Sequence, residues 1–154
     1  MPRQAWMLQT TIAVSGEGGI VDCKQLTTGL SRTLPDCDAF IAVMKEAGLH
    51  QPRATVAGYG ITLVNFYPVE PAKLTVEPKI EGATEVGRQV SQITIAPDGH
   101  ISDCKAVRYS GEFSPAADVC ASILNQRFEP ASSGAGELTG TVVSVRSIRK
   151  QSIT

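Results

Sequence analysis

Apolar and polar residues alternate from Trp6 onward: Trp6, Leu8, Thr10, Ile12 and Val14 against Met7, Gln9, Thr11, Ala13 and Ser15. A period of two predicts a half-buried strand. Gly16-Glu17-Gly18-Gly19 breaks the pattern at a turn, and Ile20 to Thr28 reads as the return strand of a hairpin. The period then changes. Cys37, Phe40, Ile41 and Met44 fall at i, i+3, i+4 and i+7, the apolar stripe of a helix. Pro35 suits its first turn, Asp36 and Asp38 favour the N-terminal end of its dipole, and Gly48 stops it. After the connector His50-Gln51-Pro52, a third strand is predicted over Gly60 to Tyr67, ended by Pro68.

The same order then recurs. Arg88 to Ala96 predicts a strand, Pro97-Asp98-Gly99 a turn, and His100 to Tyr109 a return strand. Ser114-Pro115 opens a second helix with the stripe Ala116, Val119, Cys120, Ile123 and Leu124, and Leu138 to Ile148 is the last strand. The two hairpins align without a gap at an offset of 81 residues: Ile12 with Ile93, Gly18 with Gly99, Ile20 with Ile101, and Asp22-Cys23-Lys24 with Asp103-Cys104-Lys105. Gly140 falls opposite Gly60. An internal repeat decides how a chain is parsed. The parsing is 4–68 for the first unit, 69–85 for a Glu/Pro linker, and 86–150 for the second unit. The expected class is α+β: two tandem strand–strand–helix–strand units, each a three-stranded antiparallel sheet with one helix. The two Glu-Pro dipeptides of the linker favour extended, semi-rigid backbone. The units can remain separate or join edge to edge into one six-stranded sheet with both helices on one side. The joined form is favoured, because neither unit alone buries much apolar surface. In both hairpins the apolar residue and the cysteine are three apart (Ile20 and Cys23, Ile101 and Cys104), which puts them on opposite faces of a regular strand; a β-bulge would reconcile them, and the sequence does not settle whether one forms.

Composition narrows the function. The chain has 154 residues, 42% hydrophobic, with a formal net charge of −1 and no block of like charge, so no field steers it onto nucleic acid. No apolar run reaches the length of a membrane-spanning helix, and Met1 to Trp6 lacks the apolar core of a signal peptide. The expectation is therefore a cytosolic chain, or an exported one without its signal or anchor. The four cysteines fall as one pair per unit. Duplication favours the pairing each unit makes by itself, Cys23–Cys37 and Cys104–Cys120. Free buried thiols are the alternative, and a zinc site would want a Cys-x-x-Cys spacing that is absent. Each bridge would close a loop of about 15 residues, worth roughly 3 kcal/mol in the chain-entropy model.

A family resemblance emerges from the second unit. Ile93-Thr-Ile-Ala-Pro-Asp-Gly-His-Ile-Ser-Asp-Cys-Lys-Ala-Val-Arg-Tyr-Ser-Gly111, then Ala116-Ala-Asp-Val-Cys120, Arg127-Phe-Glu-Pro130 and Gly140-Thr-Val-Val-Ser-Val-Arg146 resemble the C-terminal domain of TonB energy transducers, closest to its cysteine-bearing versions. The likeness covers roughly residues 86–149; the first unit shares the hairpin and cysteines but lacks the Phe-x-Pro exit. The resemblance implies a periplasmic protein-binding domain without catalysis and without a cofactor, acting in transport. In that family the final strand receives an extended peptide of an outer-membrane transporter as an added strand. Carried over, the peptide-binding edge is Thr141, Val142, Val143, Ser144, Val145, Arg146 and Arg149. The chain departs from the family in lacking an anchor helix and a long proline-rich segment, and in being duplicated. A second expectation is thus a stand-alone structural or interaction protein, whose duplicated sheet buries its own edges without energy transduction.

Nothing in the sequence argues for an enzyme. Gly16 to Gly19 and Gly82 to Gly87 have the outline of phosphate loops, but neither is followed by Lys-Ser/Thr. His50 and His100 are the only histidines, and His100 follows a turn, where an exposed polar residue is expected. Asp22 and Asp103 sit beside the cysteines on the opposite strand face, solvated next to Lys24 and Lys105.

Overall fold

The computed structural model describes residues 3–29, 37–51, 53–111, 120, 127–131 and 136–150. The expected second helix falls outside them except for Cys120, which is helical. Six strands form one antiparallel sheet: β1 (Trp6–Ser15), β2 (Ile20–Thr28), β3 (Val56–Tyr67), β4 (Thr84–Ile95), β5 (Ile101–Gly111) and β6 (Leu138–Lys150). Their spatial order is β2-β1-β3-β6-β4-β5. One helix, α1 (Cys37–Glu46), lies over β2. The chain leaves α1 through Gly48, whose φ of 74° suits a residue without a side chain.

The two halves of the sheet share one pairing scheme. Ile12 faces Cys23 on one side and Gly60 on the other; Ile93 faces Cys104 and Gly140. Each hairpin slips at the same place, between Ala13 and Val14 and between Thr94 and Ile95, leaving Val21 and Ser102 as the extra residues. This bulge brings Ile20 and Cys23, and likewise Ile101 and Cys104, to one face, settling what the three-residue spacing left open. The halves meet along β3 and β6. Leu63 pairs with Val145 and Asn65 with Val143; Thr62 pairs with Arg146 and Phe66 with Val142. The register is symmetric about Val64–Ser144. Of the two arrangements open to the sequence, the single continuous sheet is the one formed.

By register both bridged strand cysteines, Cys23 and Cys104, rise from the same face. That face carries a core of Trp6, Phe66, Ile93, Ile95, Ile101, Phe128 and Val142. Phe66 is fully buried, with its ring centroid 6.0 Å from Trp6 and 4.9 Å from Phe128. The opposite face carries Leu63, Val90, Val143 and Val145, against which Leu74 and Ile80 pack. Leu74 and Ile80 belong to the stretch read as a linker. Instead of spacing two beads, residues 69–83 cross the sheet as a strap, with a 3-10 turn at Pro71–Lys73, and β4 begins inside the expected linker at Thr84. Burying two aliphatic side chains, at about 1.5–3 kcal/mol each when complete, favours this over a solvated tether. Arg88 fastens the strap. Its Nη2 donates to the Pro78 carbonyl and to Glu85 Oε1, both at 2.7 Å, and its Nη1 lies 3.4 Å from Glu77 Oε1. Hydrogen bonding to Glu85 raises the Arg88 pKa further, against the effect of burial.

Candidate interaction surface

Both disulfides are formed. Cys23 bridges to Cys37 across 14 residues and Cys104 to Cys120 across 16, each with a Cα–Cα distance of 5.6 Å. Each ties a helical cysteine to the second strand of its own hairpin. Among the described residues no cysteine is free. Paired cysteines are compatible with an oxidising compartment. Among the described residues no helix is long and apolar enough to cross a membrane.

The strand expected to receive a peptide lies at the centre of the sheet. Thr141, Val142, Val143, Ser144, Val145, Arg146 and Arg149 all belong to β6, which pairs with β3 along one side and β4 along the other. Through Thr141–Arg146 both sides are taken, so this run presents no open edge; Arg149 pairs with Tyr59 of β3 and stacks its guanidinium 4.8 Å from that ring. The correction has a physical cause. Thr141, Val142, Val143, Ser144 and Val145 are all buried, a run enclosed on both faces, and such a run belongs inside a sheet. That continuous run was the available signal in the sequence.

The terminal strands are therefore β2 and β5, and among the described residues no strand lies outside either. Both are closed at their first turn. Ile20 N–H donates to the Leu49 carbonyl at 2.7 Å and Gln51 N–H to the Ile20 carbonyl at 2.7 Å. In the second half Phe128 N–H donates to the Gly99 carbonyl at 2.8 Å, which carries the Phe128 ring into the core. Beyond that point β5 is exposed from Lys105 to Gly111. It carries a second bulge, between its partners Val90 and Ser91, that has no counterpart in β2. The bulge turns Val107 and Arg108 to the strap side, where they line a groove of about 370 Å³ with Pro71, Ala72, Leu74, Glu77 and Val90. Arg108 pairs there with Glu77, which also approaches Arg88. The groove has apolar walls, an ion pair at one end, and an open strand edge beside it. No pattern along the chain signals this groove, since nothing marks Val107 as a bulge.

The remaining polar candidates lie in the hairpin turns and on the strands beside them. Asp98 accepts from the His100 backbone N–H at 3.1 Å and lies 2.5 Å from His100 Nδ1. These two bonds, backbone first, hold its carboxyl below the usual carboxylate range. Asp22 and Lys24 are exposed neighbours on β2, 3.9 Å apart. Gly16 to Gly19 is the hairpin turn, closed by a Ser15 N–H to Gly19 carbonyl bond of 2.9 Å, and Gly82 precedes β4 rather than a helix. Among the described residues no group of three or more His, Cys, Asp or Glu side chains converges as a metal site would. Burial raises the pKa of Tyr67, beside the strap. No family model, no curated protein and no solved structure matches the chain.

Proposed function

We propose that the chain is an exported, non-catalytic interaction module, a fused pseudo-dimer of two TonB C-terminal-like units over 4–68 and 86–150, with 69–85 as the strap between them. The observation that carries this reading is the symmetric β3–β6 pairing about Val64–Ser144. Two-fold pairing of equivalent strands is how identical units satisfy one another's edges. Here it consumes the strand that a lone unit would offer a transporter peptide. The reading is thus the self-capped module without energy transduction, and partner binding moves outward, to the exposed edge of β5 and the groove under Pro71 to Leu74. An extended peptide added there would gain main-chain hydrogen bonds from the edge and a seat for one apolar side chain beside Val107.

The test uses the oxidised full chain, isotope-labelled and titrated with extended transporter-type peptides. Amide shifts confined to 105–111 and 71–77 are expected. Shifts at 141–149 with loss of the β3–β6 pairing would restore strand addition at the last strand, and silence at millimolar peptide removes the peptide-binding reading.

A further inference from the structure

The groove between β5 and the strap is neutral at one end and basic at the other. The strap starts at the level of Thr141, whose Oγ1 donates to the Val69 carbonyl at 2.7 Å; Thr141 pairs with Gln92, and Gln92 with Lys105. It comes level with Arg88 and Arg108 at Glu77, and the ion pairs there close the groove. Between these levels the walls are Pro71, Ala72, Leu74 and Val107, with Val90 beneath, and Val107 is 52% exposed. At the open end stand Lys105 of β5 and Lys73, the residue after Ala72 on the strap, both exposed. Among the described residues neither lysine has an acidic partner. The other edge strand differs. On β2 the equivalent Lys24 lies 3.9 Å from Asp22, whereas Lys105 makes no such pair with Asp103. By register Lys105 shares the strap side with Gln92, and the second bulge turns Val107 to that side as well. A cation and an apolar seat thus stand two residues apart on one face of an edge that is exposed from Lys105 to Gly111.

We propose that this groove docks an extended protein segment bearing one large apolar side chain and, two residues from it, a single carboxylate. The apolar side chain enters between Val107 and Leu74 onto Val90, the carboxylate meets Lys105, and the main chain pairs with the edge of β5. The spacing of two follows from the strand, because only alternate residues of an added strand face one side. Asp103 lies next beyond Lys105 on the same face and repels a second acid there, so the fitting segment carries one carboxylate rather than an acidic run. Burial of the apolar side chain supplies most of the affinity, and the exposed ion pair mainly sets the register. The inference rests on the reading of the β5 edge as the partner site and adds what the partner must carry.

The test titrates the labelled, oxidised full chain with two short peptides of Thr and Gln that hold Phe and Asp two residues apart, one in each order, since the added strand runs in one direction or the other. Controls replace Phe by Ala, replace Asp by Asn or by Lys, or move Asp next to Phe. For the tighter-binding order, amide shifts at 105–111 and 71–77 are expected, with binding at least about tenfold weaker for the Ala peptide, as for a lost anchor. The Asn peptide and the displaced-Asp peptide should bind about twofold to fivefold more weakly, as for an exposed ion pair. That difference should vanish at about 1 M salt, where screening is strong. Lys105→Glu, at an exposed position, should reverse the preference, so that the Lys peptide binds more tightly than the Asp peptide. Equal binding of the Phe and Ala peptides overturns the proposal, as does equal binding of the Asp, Asn and displaced-Asp peptides. A Lys105→Glu protein that is folded by circular dichroism and still prefers Asp overturns it too. Should that variant fail to fold, the wild-type chain decides: its Lys peptide must bind more weakly than its Asp peptide, and equal or tighter binding sinks the inference. Any of these failures with shifts still at 105–111 and 71–77 leaves the proposed function standing, whereas no shift with any peptide at millimolar concentration sinks both.

Discussion

The two halves of the sheet have one backbone plan and two different interiors. Strand register and bulge at the hairpin turn, and the position of the bridged strand cysteine, agree between them, while the second bulge of β5 has no counterpart. Yet the Cys104 half encloses Trp6, Phe66 and Phe128, two of which come from the chain of the other half, and Arg3 ties the N-terminus there as well, donating to the Ala96 and Glu129 carbonyls at 2.6 and 2.7 Å. The Cys23 half has Gly87 in the place of Trp6 and Arg146 in the place of Phe66. The comparison teaches that pairing is set by main-chain periodicity and turns, while filling is set by a few side chains that reach across the dyad.

The sharpest break in the comparison is Phe66→Ala. Removing the centre of the aromatic cluster should cost about 3–5 kcal/mol by urea denaturation, while Ile148→Ala, half exposed on the other side, should cost about 1 kcal/mol or less. Equal losses would mean that the first half is as well packed as the second. Next come the bridges. Cys23→Ser with Cys37→Ser, and Cys104→Ser with Cys120→Ser, should each lose about 3 kcal/mol, because their separations of 14 and 16 residues are nearly alike. A large inequality in thermal melts would show that native packing, rather than loop closure, dominates. The glycines should differ in sign. Gly140→Ala meets the Phe66 ring and should destabilise by about 1–3 kcal/mol, whereas Gly60→Ala meets nothing within 4 Å among the described residues and should stabilise by up to about 1 kcal/mol.

The smallest effect concerns acid. Asp98 is held below its unfolded value of 3.8 by the His100 backbone and side chain. A depressed carboxylate contributes stability that is present above the unfolded value and lost as pH falls through the folded one. Asp98→Asn should therefore flatten the dependence of the urea midpoint on pH below about 4. The first half, with Gly19 in the place of His100, has no such pair. An unchanged acid limb in the variant would show that the turn pair is irrelevant to folding.

Much of this was legible in the residues. The alternation from Trp6 to Ser15 gave β1, whereas the repeated three-residue spacing before each cysteine raised the bulge without deciding it. The cysteine pairs gave both bridges. The strap was not legible: Leu74 and Ile80 are isolated in a Glu/Pro stretch with no periodicity, and only the sheet beneath gives them something to bury against. Nor was the place of the last strand. Taken unit by unit, β6 is an edge; in the whole chain it is a centre, although the unbroken run from Thr141 to Val145 pointed inward.

The sequence by itself determined the strands and α1 and favoured the cysteine pairs that bridge, because each depends on residues near one another along the chain or on a spacing that recurs. Only the tertiary structure decided which strands lie at the edges of the sheet and which aromatic side chains meet in the Cys104 half. Those depend on pairing β3 with β6 across some 80 residues, and on which aromatic rings then fall on which glycine. No local pattern encodes that meeting, since a strand's own residues are the same whether its neighbour arrives or not.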